Sequence, residues 1–282
     1  MANLKKEKFK NVWPILEIAG KKPDDWLGWP EGKKFAFIIT HDVELKKGHD
    51  KCLELALIEK ELGFISSYNF VPERYEVSSD LRDQLVKLGF EVGVHGLKHD
   101  GKLFRNRETF SKRSKTINSY LKKWNAVGFR APAMHHNLEW IGKLDISYDL
   151  STFDSDPFEP QSDGVATIFP FLISRNNGEI PYVEMPYTLV QDFTLFILMN
   201  EKDSSIWEKK LDWIVANGGM ALINIHPDYI NFENKTLLEE YPITYYTDFL
   251  NIVKNKYAHD YWNVVPKQMS DFWLNFTTNK KI

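Results

Sequence analysis

The chain has one cysteine, Cys52, in 282 residues. An internal disulfide framework is therefore excluded, and Cys52, which falls in a helical pattern, is expected as a small buried hydrophobe. No apolar run is long enough to span a bilayer, and Met1-Ala2-Asn3-Leu4-Lys5-Lys6 lacks the apolar core of a secretion signal. A cytoplasmic protein with no membrane insertion is the expectation. Excess charge of one sign is missing too. The net charge is −3, and basic residues gather only locally, at Lys5 to Lys10 and Arg105 to Lys123, where they read as solvated faces. Nucleic acid is not an expected partner. Internal repeats and low-complexity linkers are also absent.

What is present is strand and helix in alternation. Helical periodicity marks Asp50 to Leu62, Leu81 to Leu88 closed by Gly89, Leu103 to Trp124, Asn137 to Leu144, Ser205 to Ala216 and Tyr245 to Tyr257. Strand candidates lie between them, at Ile65 to Val71, Ile146 to Ser151, Ile180 to Thr188 and Met220 to His226. Such alternation predicts a parallel sheet with helices outside, and the length suits one α/β barrel. Residues 1–30, with Trp26, Trp29 and Pro30, read as an N-terminal extension over a single catalytic domain of residues 31–282. Thr152 to Asn177, rich in Asp, Pro, Ser and Asn, reads as a long loop near the site.

Four apolar runs end in polar residues. Phe35-Ala36-Phe37-Ile38-Ile39-Thr40 leads into His41-Asp42-Val43-Glu44. Phe90-Glu91-Val92-Gly93-Val94 leads into His95, with His99 four positions on. Val127-Gly128-Phe129 leads into Arg130 and Pro132, and Leu222-Ile223-Asn224-Ile225 into His226. Each ending alone has an ordinary explanation as a helix cap, a surface ion pair or a satisfied core histidine. Together they place acids, imidazoles and a guanidinium at the C-terminal ends of strands, where α/β folds build active sites. If residues 95–99 form a helical turn, the i and i+4 imidazoles share a face and can meet one metal ion. Imidazole suits zinc and other first-row metals, and a catalytic site adds a third ligand and an open position.

The ordered set Thr40-His41-Asp42-Val43-Glu44, His95-Gly96-Leu97-Lys98-His99, Phe129-Arg130-Ala131-Pro132-Ala133 and Leu222 to His226 resembles the polysaccharide deacetylases. These form the fourth carbohydrate-esterase family, with the nodulation-protein-B type of domain. The resemblance runs from about Phe35 to the C-terminal region and implies a distorted, incomplete (β/α) barrel. Two departures stand out. Gly96 occupies a position where the family has Ser or Thr, and the family's adjacent aspartates are here Asp42, Val43 and Glu44. In one assignment Asp42 is the base and Glu44 binds the metal with His95 and His99. In the other Asp42 binds the metal with His95 and His99, and Glu44 lies behind the ligands or acts as base; residues i and i+2 share a side of a strand, so both acids can reach one site. The first is preferred.

The resemblance then implies a zinc-type deacetylase that removes an N-acetyl or O-acetyl group from a sugar or a polysaccharide precursor. Its catalytic residues would be Asp42, Arg130 and His226, and its metal ligands Glu44, His95 and His99. Arg130 would hold Asp42 ionised, and His226 would protonate the leaving amine. Phe153, Phe158, Tyr187 and Phe193 are candidates for a sugar-binding wall or for core, and His135 and His136 for cleft or exposed loop. Asp149 could orient Arg130 or cap a loop. Two other readings are a hydrolase of non-sugar C–N bonds, of cyclic imide or ureide type, and a non-catalytic carbohydrate-binding relative. The second has no need of His95, His99, Arg130 and His226 as a set.

Overall fold

The strand β1, Phe35–Val43, is buried at all nine positions. A strand so apolar on both faces needs parallel neighbours and helices on its outer side. The computed structural model, which describes residues 5, 7–9, 12–175, 178–233 and 238–278, supplies both. Parallel to β1 run β2 (Ser66–Phe70), β3 (Glu91–His95), β4 (Gly128–Arg130) and β5 (Tyr148–Asp149) in succession, then β7 (Tyr182–Glu184). The short strand β6 (Phe171–Ile173) lies antiparallel on β7. On the other side of β1 runs β8, Met220–Ile225. A bridge between Leu189 and Ile223 ties the chain after β7 to β8, so the sheet curls into an incomplete barrel. A two-residue pair, β9 (Ile230–Asn231) with β10 (Tyr241–Pro242), and the strand β11 (Tyr261–Asn263) beside the start of β1 complete the strands.

Register sets the site. Asp42 pairs with Asn69, Asn69 with Gly93, and His95 with Arg130. The carboxyl ends of β1 to β4 therefore open at one end of the barrel. Gly93 is required there, because a Cβ would stand 2.1 Å from the Asn69 side-chain oxygen.

The helices follow the expected periodicity with shifted ends. Lys46–Leu62 and Ser79–Leu88 each close on a left-handed glycine, Gly63 and Gly89. The helix expected from Leu103 starts at Arg107, because Asn106 caps it by accepting from Thr109 N at 2.8 Å. The helix expected over Asn137 to Leu144 is only Leu138–Ile141 and gives way to Gly142. Ser205–Asn217 and Ile243–Lys256 form as expected. The helix Pro266–Thr278 and the π-helix Phe193–Leu198 were not anticipated. Cys52 is buried, as expected.

Trp26 and Trp29, before β1, pack against the barrel. The Trp29 indole donates to Gly218 O at 2.9 Å, and the Trp26 ring sits 4.6 Å from that of Trp29 and 5.4 Å from that of Trp273. Of Met1 to Lys6 only Lys5 belongs to the described residues, and Lys6 and Lys10 of the basic stretch and Asn177 of the long loop lie outside them. No helix among the described residues is long and apolar enough to cross a membrane.

Candidate active site

His95 ends β3 and His99 follows, but not through a helical turn. Gly96 has φ 60° and His99 φ 52°, so two left-handed residues fold the chain back and bring the imidazole centroids to 5.2 Å. The helical i, i+4 geometry expected from spacing is thus replaced by a tight turn. That turn accounts for the glycine: a Cβ on Gly96 would lie 2.4 Å from Pro132 Cγ, besides the cost of positive φ. Glu44 reaches the same place from the end of β1. One ligand-type atom from each of Glu44, His95 and His99 lies within 4.8 Å of the others.

The bonding of these three fits a divalent cation. His95 Nδ1 is 3.2 Å from Arg130 O, which accepts its proton and fixes the tautomer. The buried Nε2 is then a bare lone pair with no hydrogen-bond partner. Burial, ahead of the opposing charge of Asp42, depresses the His95 pKa to about 4, so the ring is neutral as a ligand must be. His99 Nε2 approaches Glu44 Oε1 at 2.9 Å, yet its geometry is not that of a hydrogen bond. The contact is a close approach of two ligand-type atoms. Burial would raise the Glu44 carboxyl, but the close approach of His99 and the charge of His226 outweigh it and hold the pKa at about 2. Asp228 holds the Glu44 backbone by accepting from Glu44 N and Leu45 N at 2.8 and 2.9 Å.

Asp42 stands outside that cluster, within a cage of donors. Oδ1 accepts from Asn69 Nδ2 at 3.1 Å and Arg130 Nη1 at 3.3 Å, and Oδ2 from Asn224 Nδ2 at 2.9 Å. Burial favours the neutral acid, but Arg130 first, then His95 and His226, and the Asn224 bond keep the carboxyl well below the ordinary range. Arg130 is fully buried and fixed at Leu150 O by Nε (2.8 Å) and at Thr40 Oγ1 by Nη1 (2.8 Å).

His226, just beyond β8, meets Asp192. The Asp192 carboxylate accepts from His226 N at 2.9 Å, from Nδ1 at 2.6 Å and from the Tyr241 hydroxyl at 2.8 Å. Burial lowers the imidazole pKa, but the Asp192 charge and hydrogen bond overcome it and raise it to about 10. A cation held nearby would oppose that rise.

One cavity of about 330 Å³ is lined by Asp42, Glu44, His95, His99 and His226 together. Arg130 stays behind Asp42 and supports it. Phe158 and Phe193 line this cavity, with Tyr229 4.9 Å from Phe193, whereas Phe153 and Tyr187 are core residues stacked at 5.6 Å. His135 and His136 line a neighbouring cavity that meets the first at His99. Asp149 does not touch Arg130. It accepts from Ser151 Oγ at 2.6 Å, and Ser151 Oγ in turn accepts from Ala131 N at 2.8 Å. His41 is buried away from the site and bonds Glu59 at 2.8 Å. Asp192, Asn224, Asn69 and Thr40 were not anticipated; Thr40 and Asn224 interrupt apolar runs, and that was their signal, whereas Asn69 follows Ser66 and Ser67 and carried none.

No protein-family model and no curated protein matches the chain. Solved structures do match its fold. A Mycobacterium smegmatis protein assigned as a polysaccharide deacetylase aligns at TM-score 0.66 and 15% identity, over 89% of this chain and 94% of its own. A Pseudomonas aeruginosa protein with the same assignment aligns at 0.63 and 14%, over 87% and 92%. An allantoinase aligns at 0.64 and 13%, over 90% and 97%. The fold is the incomplete (β/α) barrel of the polysaccharide deacetylases.

Proposed function

We propose that this protein is a metal-dependent deacetylase acting on an N-acetyl, or O-acetyl, group of a sugar or polysaccharide precursor. One observation carries the reading. A cavity brings Glu44, His95 and His99 together beside an anionic Asp42 held by Arg130 and a cationic His226 held by Asp192. Two imidazoles and a carboxylate suit zinc, which when bound would supply Lewis-acid polarisation of an acyl carbonyl and acidify water.

The residues of the chain divide the proton work. Asp42, kept ionised by Arg130, is the base that takes a proton from the attacking water. His226 keeps Nδ1–H on Asp192 and so presents Nε2–H to the cleft. That proton goes to the leaving nitrogen as the C–N bond breaks, releasing acetate and an amine. Without it the tetrahedral intermediate would expel water's oxygen in preference to the poorer amide leaving group. Phe158, Phe193 and Tyr229 offer apolar faces on which a pyranose can lie.

The test is acetate release by zinc-loaded protein from N-acetylated chitooligosaccharides and O-acetylated xylan, alongside ring opening of a cyclic ureide. Acetate release that stops on chelation is the expected result. Ureide hydrolysis with no acetate release would move the assignment to non-sugar C–N bonds.

A further inference from the structure

The proposed reaction leaves Asp156, Glu159 and Tyr187 without a task, although Glu159 lines the same cavity as Asp42 and His226. The Tyr187 hydroxyl lies 2.9 Å from Asp156 Oδ2 and 2.6 Å from Glu159 Oε1. A phenol has one proton, so it donates to one acid and can only accept from the other. At least one of the two is therefore protonated. A chain of amides decides which. A guanidinium only donates, so Arg130 Nη1 fixes Asn224 Oδ1 as its acceptor. Asn224 Nδ2 is then the donor to Asp42 Oδ2 and to Gln191 Oε1, each at 2.9 Å. That leaves Gln191 Nε2 donating to Glu159 Oε1.

Glu159 Oε1 thus accepts from both Gln191 and Tyr187, and the proton belongs on Asp156 Oδ2, donated to Tyr187. Burial pushes both carboxyls upward; the charge of Glu159 raises Asp156 further, while the bonds from Tyr187 and Gln191 draw Glu159 back down. The pair holds one proton and one negative charge, with the charge on the residue that faces the cleft. Both inner bonds of Glu159 fall on Oε1, so Oε2 is the atom it offers to a bound molecule.

We infer that Glu159 is a substrate-positioning residue whose outward oxygen accepts a hydrogen bond from a hydroxyl of the sugar carrying the acyl group. The cleft then selects neutral, hydroxyl-bearing acyl donors and rejects those with a carboxylate at that place. This rests on reading the cleft as that of a sugar deacetylase. Gln191 and Asn224 link Glu159 to Asp42, so a hydroxyl on Glu159 is registered to the base.

Glu159→Gln is the variant to make, because its amide oxygen can keep both inner bonds while its NH₂ reverses the polarity facing the cleft. Zinc-loaded wild type and variant are compared on tetra-N-acetylchitotetraose and on 4-nitrophenyl acetate, an acyl donor without hydroxyls. The ratio of oligosaccharide to ester kcat/KM is expected to fall about 10–100-fold, mainly through KM, as befits a lost bond to a charged acceptor. Calorimetric affinity for the oligosaccharide should fall by the same factor. An unchanged ratio, with unchanged affinity, overturns the assignment. If the wild type binds the oligosaccharide but releases no acetate, the deacetylase reading fails and the calorimetric comparison still decides Glu159. A wild type that neither binds nor cleaves it overturns both.

Discussion

His95 and His226 are both buried, yet burial acts on them with opposite outcomes because of what each Nδ1 faces. His95 Nδ1 meets a neutral carbonyl, Arg130 O, and the ring loses its affinity for a proton, with a pKa near 4. His226 Nδ1 meets the Asp192 carboxylate, and its pKa rises to about 10. In the proposed reaction an imidazolium acid works only below its pKa, so the alkaline limb of activity would report His226 giving up its proton. Asp192→Asn removes the largest of the raising charges and leaves burial, so the limb should move to lower pH, with metal content unchanged. A pH–rate profile of kcat/KM checks the shift; an unmoved limb would mean that His226 is not the acid. The two carboxylates divide similarly. Asp42→Asn should keep metal and lose activity by about 10²–10⁴-fold, while Glu44→Gln should lose both. Metal analysis beside turnover separates them, and the reverse pattern would make Asp42 the ligand. The side chains at strand ends were readable in sequence, because a polar residue closing an apolar run stands out. Asp192 was not, since it precedes the π-helix Phe193–Leu198 and becomes a partner of His226 only when the barrel curls.

The turn Gly96–His99 brings the imidazoles of His95 and His99 to 5.2 Å of one another. Any side chain at Gly96 meets Pro132 and a left-handed backbone, which alone costs an L-residue about 1–2 kcal/mol. Gly96→Ala should therefore weaken zinc binding by about 10–100-fold, as the loss of outer support for a ligand does. Chelator competition measures it, and wild-type affinity in the variant would contradict the role given to this turn. Elements with long periodic patterns were legible, as in Lys46–Leu62 and Met220–Ile225. Two short ones were not: β11 has three residues, and β6 lies inside Thr152 to Asn177, whose composition reads as loop. The turn at Gly96 escaped for another reason, because four-residue spacing fits a helix as well as a left-handed fold-back. Only the contact with Pro132, brought in by β4, distinguishes them.

At the scale of the whole molecule, the barrel makes distant parts of the chain neighbours at one opening. β1, β3, β4 and β8 contribute Asp42, His95, Arg130 and His226, and the connections that follow β5 and β7 contribute Glu159 and Asp192. The overall net charge of −3 says little about the cleft, where acids face imidazoles and a guanidinium within a few ångströms. Fold class was open to sequence reasoning because alternation and strand-end chemistry agree; the aromatic wall of the cleft was not, because core and cleft aromatics share one composition. The account depends above all on Glu44, His95 and His99 holding a cation. Elemental analysis of zinc-equilibrated protein, with Glu44→Gln, His95→Ala and His99→Ala measured alongside, tests that directly. The prediction is about one zinc per chain in the wild type and little in each folded variant. Full zinc content in all three variants would contradict it.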